Sequence, residues 1–317
     1  MVAVVEKCPN YIFHLMAVAE VGFSSEYAET YKHSVLPDDV SYIKRHGELM
    51  IFESGSCAEL TFALVFFPSY INLKSADALE EYFSLLNSGL QTGDFQPFLK
   101  RYAPFAEKLN AWFPIEEQYL SSIKKHGEII AGFGKTYLGN YPSYGDRVWV
   151  TEKPKLDEVA SKVNDFLKDQ NLIHKWEALT GVRFEFDSYS IVLCSAIKNG
   201  PNANSLGYDR TVFYHDIPID RMIQLISHEV GTHILIDAYK EISSLGRFDP
   251  NALYGAYESL AMFYNTVILK NESLEYDMPG FRSQEFLEVY DAILSKNPNI
   301  GGRDLLVAGI EALRNQA

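Results

Sequence analysis

Two histidines and a glutamate stand within six residues in the stretch SHEVGTH: His228, Glu229 and His233. Imidazoles carried by one helix can share a metal ion, and a carboxylate beside the first can act on a water held by that ion. The spacing is HExxxH. In a regular α-helix four residues advance by about 400° and nearly align two side chains, whereas five advance by about 500° and leave them about 140° apart. Both imidazoles reach one ion only where the helix is locally widened, so the spacing predicts a π-type turn between 227 and 234. Gly231 tolerates unusual backbone angles, and Thr232 can bond a backbone carbonyl and help bend a helix.

The plain alternative is two unrelated polar residues on a buried helix. Burying two imidazoles beside a carboxylate is costly unless something pairs them, and that favours a metal. The element carrying them, IPIDRMIQLISHEVGTHILIDAYKEI, has Asp216 or Asp220 as its expected N-cap and Pro218 near its first turn. Met222, Ile223, Leu225, Ile226, Val230, Ile234 and Leu235 make it a buried helix. A zinc site that works on substrate takes three protein ligands and leaves a position open. The helix 251–270 carries one acidic residue in its interior, Glu258, among Tyr254, Tyr257, Leu260, Ala261, Met262 and Tyr264. Such a carboxylate needs a partner, which a metal or an arginine would supply, unless the position is exposed. A second donor for a developing oxyanion would come from Tyr254, Tyr257, Tyr208 or His215. Asp237 and Asn265 are placed to orient the ligands.

A pair of histidines with a downstream glutamate on the next long helix resembles the gluzincin metallopeptidases. HEVGTH, with its one-residue-longer spacing, resembles the HE-x-G-T-H of the tyrosine carboxypeptidases and their bacterial relatives named for a QEGLA motif. YESLA (257–261) is similar to QEGLA, with Ser259 in place of glycine and Glu258 at the ligand position. The likeness spans roughly residues 220–265 and has no counterpart in the first half. It implies a zincin-like domain holding Zn2+ through His228, His233 and Glu258, with Glu229 as general base in water-mediated hydrolysis of a peptide or protein substrate. A non-peptidase metallohydrolase and a catalytically silent zincin-like scaffold are the rival readings. The formal charge of −14 disfavours an acidic substrate.

These residues need elements to hold them. NYIFHLMAVAEV, SSEYAETYKHSVL, DDVSYIKRHGELMIF, SADALEEYFSLLN and FQPFLKRYAPFAEKLNAWF all show helical spacing of apolar residues. The segment 137–150, rich in Gly, Pro, Asn and Ser, reads as a boundary. Two amphipathic helices follow it. Residues 182–196 then read as one strand or two, 198–209 as a loop and 210–216 as a short strand. One or two more helices follow 283. The expected fold is α+β: a helical domain over 1–145, then a zincin-like metallohydrolase domain over 146–317 with a small sheet, an active-site helix and a glutamate helix.

Composition narrows the rest. A chain of 317 residues, 47% hydrophobic and 22% charged, has material for a sizeable core. Its acidity excludes nucleic acid and anionic membrane surfaces as expected partners. No apolar run has the length of a membrane span, and LTFALVFF (60–67) stops at Pro68. Cys8, Cys57 and Cys194 are odd in number and widely spaced, which reads as free buried thiols. With no basic start before the N-terminal apolar run, the expected compartment is the cytoplasm.

Overall fold

Helices dominate the chain as the periodicity predicts. The protein is 72% helical with a small four-stranded mixed sheet, an α+β fold whose N-terminal region is helical. The computed structural model describes residues 1–23, 26–53, 56–109, 113, 115–198, 203–270 and 283–314. In chain order the elements are β1 (Val2–Val4), α1 (Lys7–Val18), α2 (Glu26–Tyr31), α3 (Pro37–His46), β2 (Phe52–Glu53), β3 (Ser56–Cys57), α4 (Phe67–Ile71), α5 (Ala76–Thr92), α6 (Gln96–Leu109) and α7 (Glu117–Ser122). They continue with α8 (Gly127–Tyr144), α9 (Val150–Leu167), α10 (Leu172–Thr180), β4 (Ser190–Cys194), β5 (Ala203–Gly207), β6 (Arg210–Tyr214), α11 (Ile219–Ser244), α12 (Pro250–Leu269), α13 (Ser283–Lys296) and α14 (Gly302–Arg314).

Two compact units emerge, and they divide the chain differently from a break near 145. Val2–Lys162 and Ser190–Ile217 form one, and Val163–Tyr189 and Pro218–Ala317 form the other. The four-stranded sheet therefore belongs with the N-terminal helices, not with the unit that carries SHEVGTH. Its order is β1-β4-β6-β5, with β1, β4 and β6 parallel and β5 antiparallel to β6. β1 pairs Val2, Ala3 and Val4 with Ser190, Ile191 and Val192, a partnership across most of the chain that no local pattern reveals. The strand expected over 182–196 is confined to Ser190–Cys194, and part of the expected loop at 198–209 is strand β5. Residues 199–202 of that loop lie outside the described residues.

The segment 137–150 is not a boundary. It is the end of α8, a π turn over Gly145–Trp149 and the start of α9. Tyr137, Tyr141 and Tyr144 are buried there, so apolar contact outweighs the Gly and Pro that suggested a break. A second π turn spans Phe62–Phe66. Such a turn misaligns backbone groups, and three tyrosines meet them: Tyr82 donates to the Ala63 carbonyl at 2.7 Å, Tyr137 donates to that of Leu64 at 3.0 Å, and the Tyr119 hydroxyl accepts from the Ala63 N–H at 3.1 Å. Cys8 and Cys194 are buried free thiols, whereas Cys57 is exposed.

Candidate metal centre

In the second unit, α11 runs without interruption from Ile219 to Ser244. Pro218 is its N-cap, supplying the carbonyl that accepts from the Met222 N–H at 2.9 Å, so neither Asp216 nor Asp220 caps it. The seven apolar residues read as a core face are all buried, against α10, α12 and α14. Asp249 caps α12, its side chain accepting from the Ala252 N–H at 2.9 Å.

α11 and α12 lie antiparallel, and polar contacts set their register. Asn265 donates to the Gln224 carbonyl at 3.0 Å, and Tyr257 donates to the Thr232 carbonyl at 2.6 Å. Between those ties His228 Nε2 stands 3.2 Å from Glu258 Oε2. The sequence thus pairs its first histidine with its isolated glutamate across 30 residues. The glutamate alternatives of an arginine partner or an exposed position are not what the side chains adopt: both His228 and Glu258 keep 13% of their side-chain surface.

Burial pushes the His228 imidazole down, but the hydrogen bond and charge of Glu258, with the charge of Glu229, outweigh it and leave the group raised. Among the described residues its buried Nδ1 has no hydrogen-bond partner. Tyr254, one turn before Glu258 on α12, hydrogen-bonds that carboxylate; burial first, then Glu258, raises its phenol far above the usual range. Tyr239 joins the group, its ring centroid 6.2 Å from that of Tyr254 and 4.9 Å from that of Tyr257. Sequence reasoning missed Tyr239, for nothing in its spacing marks it.

His233 takes another direction. It is buried, and its ring centroid lies 5.6 Å from that of Tyr189. The widened turn expected between 227 and 234 is not formed: α11 is α-helical throughout, and among the described residues the two π turns lie in the other unit. On a regular helix the residue aligned with His233 is Glu229, four before it, while His228 aligns with Thr232. Thr232 does bond a carbonyl, that of Glu229 at 2.9 Å, without bending the helix.

Gly231 has a different purpose from the one its flexibility suggested. A Cβ there would stand 2.2 Å from the Trp176 ring. Trp176 lies across this face and donates to Ser227 Oγ at 3.0 Å. The glycine admits an indole.

The remaining predicted residues are dispersed. Tyr257 has its one proton committed to Thr232, so it braces two helices and has none for an oxyanion. Asn265 ties α12 to Gln224, and Asp237 is exposed one turn beyond His233. Tyr208, in the turn before β6, and His215, just after it, belong to the other unit.

A zinc ion fits part of this arrangement. Two ligand atoms each about 2.05 Å from a tetrahedral zinc stand about 3.3 Å apart, close to the observed separation of His228 and Glu258. Among the described residues, no three His, Cys, Asp or Glu converge closely enough to hold a metal, because the regular helix turns His233 away. No family model matches the chain, and neither a curated protein nor a solved structure is significantly similar to it.

Proposed function

We propose that the chain is a zinc-dependent hydrolase of the gluzincin type, acting on peptide amide bonds. The observation that carries this reading is the pairing of His228 with Glu258, 3.2 Å apart on two helices, beside the carboxylate-bearing Glu229. His228 and Glu258 would hold the ion, and His233 would join them where α11 widens by one residue. Zinc bound there would polarise a carbonyl and acidify a water. Glu229 takes the proton released in the attack and passes it to the leaving amine. Tyr254 donates its one proton to Glu258, so it would hold that carboxylate in place.

The uninterrupted α11 favours a second reading, in which His228 and Glu258 are a metal-free pair joining two helices of a binding protein. Metal analysis after purification in zinc decides between them. The hydrolase reading expects close to one zinc per chain, lost in His228→Ala and in Glu258→Gln. Glu229→Gln should keep the metal and lose peptide hydrolysis by about 10²-fold or more. Metal content unchanged by both ligand substitutions, or full activity in Glu229→Gln, would sink it.

A further inference from the structure

Outside the candidate centre, the first unit holds a cavity of about 440 Å³ that belongs to none of the chemistry above. It opens where β4 and β6 end. These strands run parallel, and their chains continue directly into the cavity wall as Ser195 and as His215–Asp216. Parallel strands aim their last residues at one place, which is why ligands of open α/β sheets lie beyond the strands' carboxyl ends. The opposite wall comes from α2 and α9, which bring Tyr27, Tyr31, Glu152 and Lys155. The volume suits a small organic molecule.

The walls are held in place. The Asn10 side chain on α1 donates to the Leu193 carbonyl at 2.8 Å and accepts from the Ser195 N–H at 3.2 Å, fixing the end of β4. Tyr27 is hydrogen-bonded to His14 Nδ1 at 2.8 Å, and Ser34 to His14 Nε2 at 3.0 Å. Tyr31 donates to Glu152 Oε1, and Lys155 reaches the same oxygen at 3.0 Å.

The cavity has a sign. Four carboxylates, Glu26, Glu152, Glu158 and Asp216, face two lysines, Lys155 and Lys198. Both lysines are already paired, Lys155 with Glu152 and Lys198 with Glu26 at 2.8 Å. Among the described residues Asp216 has no ion pair of its own; Lys198 feels its charge but is bonded to Glu26. Glu152 is 5% exposed, and although burial opposes its charge, the hydrogen bonds from Tyr31 and Lys155 hold its pKa below the usual carboxylate range. Burial lowers the His215 pKa and so disfavours a positive charge there, and among the described residues its buried Nδ1 has no hydrogen-bond partner. The Tyr27, Tyr31 and Tyr214 rings offer faces that attract cations.

We propose that this cavity binds a small ammonium-bearing ligand, a primary amine or diamine, through Glu152 and Asp216 among the tyrosines. The inference is independent of the zinc centre. Titration calorimetry of the full chain with 1,4-diaminobutane should give saturable one-site binding, with none for butane-1,4-diol or succinate. Asp216→Asn and Glu152→Gln should each weaken the amine tenfold or more, while His228→Ala leaves it unchanged. Asp216 is exposed, so its variant keeps the fold even if Glu152→Gln does not. Absence of saturable diamine binding, equal binding of the diol, or unchanged affinity in a folded Asp216→Asn protein would overturn the proposal.

Discussion

His14 in the first unit and His228 in the second are both deeply enclosed, yet their surroundings differ in kind. Hydroxyls of Tyr27 and Ser34 meet both ring nitrogens of His14, and burial pushes its pKa down to about 3. It is a neutral imidazole with every polar atom answered. His228 faces a carboxylate on one side, and among the described residues its other nitrogen has no hydrogen-bond partner. Hydroxyls can serve a neutral ring as donor or acceptor, whereas a carboxylate offers only lone pairs. The first histidine is satisfied on both sides by hydroxyls, whereas the second, among the described residues, is bonded on one side alone.

The sharpest way to break this contrast is to remove each ring. His228→Ala should abolish zinc binding and peptide hydrolysis with a native circular dichroism spectrum. His14→Ala should leave zinc stoichiometry intact but lower stability by about 2–4 kcal/mol, since it empties a buried site and strands two hydroxyls. Denaturant titration and metal analysis of the two proteins read both halves.

The pH dependence of stability tests the neutral histidine alone. His14 protonates near 6.5 when unfolded and only near 3 when folded, so between those values the unfolded chain binds the extra proton. Its contribution is complete above about pH 6.5 and declines as pH falls, by as much as about 1.4 kcal/mol per unit. The slope over this window should flatten in His14→Ala; an unchanged slope would mean that other groups carry it.

Gly231→Val probes the second unit without touching a ligand. With a Cβ at 2.2 Å from the Trp176 ring, the helices must separate, at a cost of about 1–3 kcal/mol or more. Thermal unfolding should register the loss whether or not zinc is present. A loss confined to the zinc-bound protein would restore the view that Gly231 serves a widened turn. The smallest effect expected is that of Tyr257→Phe, about 1 kcal/mol for one hydrogen bond to Thr232, with hydrolysis retained. A large fall in activity would return Tyr257 to the reaction.

Much of this was legible because it is local. The helical first half, the extent of α11 and α12 and the meeting of His228 with Glu258 follow from apolar spacing and from one carboxylate isolated in an apolar helix. What was not legible depends on partners distant in sequence. The pairing of β1 with β4 joins Val2 to Ser190, and Tyr137, Tyr141 and Tyr144 turn a Gly- and Pro-rich stretch into buried helix. Gly231 was read from its backbone freedom, yet the reason for it stands 55 residues earlier as Trp176. A period of five does predict a widened turn if two histidines share an ion, but period alone does not supply the force that widens it.

The π turn at Phe62–Phe66 bears on how this chain tolerates changes in length. A wide turn is a helical turn carrying one residue more than the α-helical pitch needs. Removing one residue there would return the segment to ordinary pitch and leave the elements beyond it near their present rotation. The same deletion inside α11 would swing every later side chain by about 100° and uncouple it from α12. The tyrosine hydroxyls on Ala63 and Leu64 thus hold open a slack link, one place in the molecule where a lost codon would be absorbed locally instead of being passed down the chain.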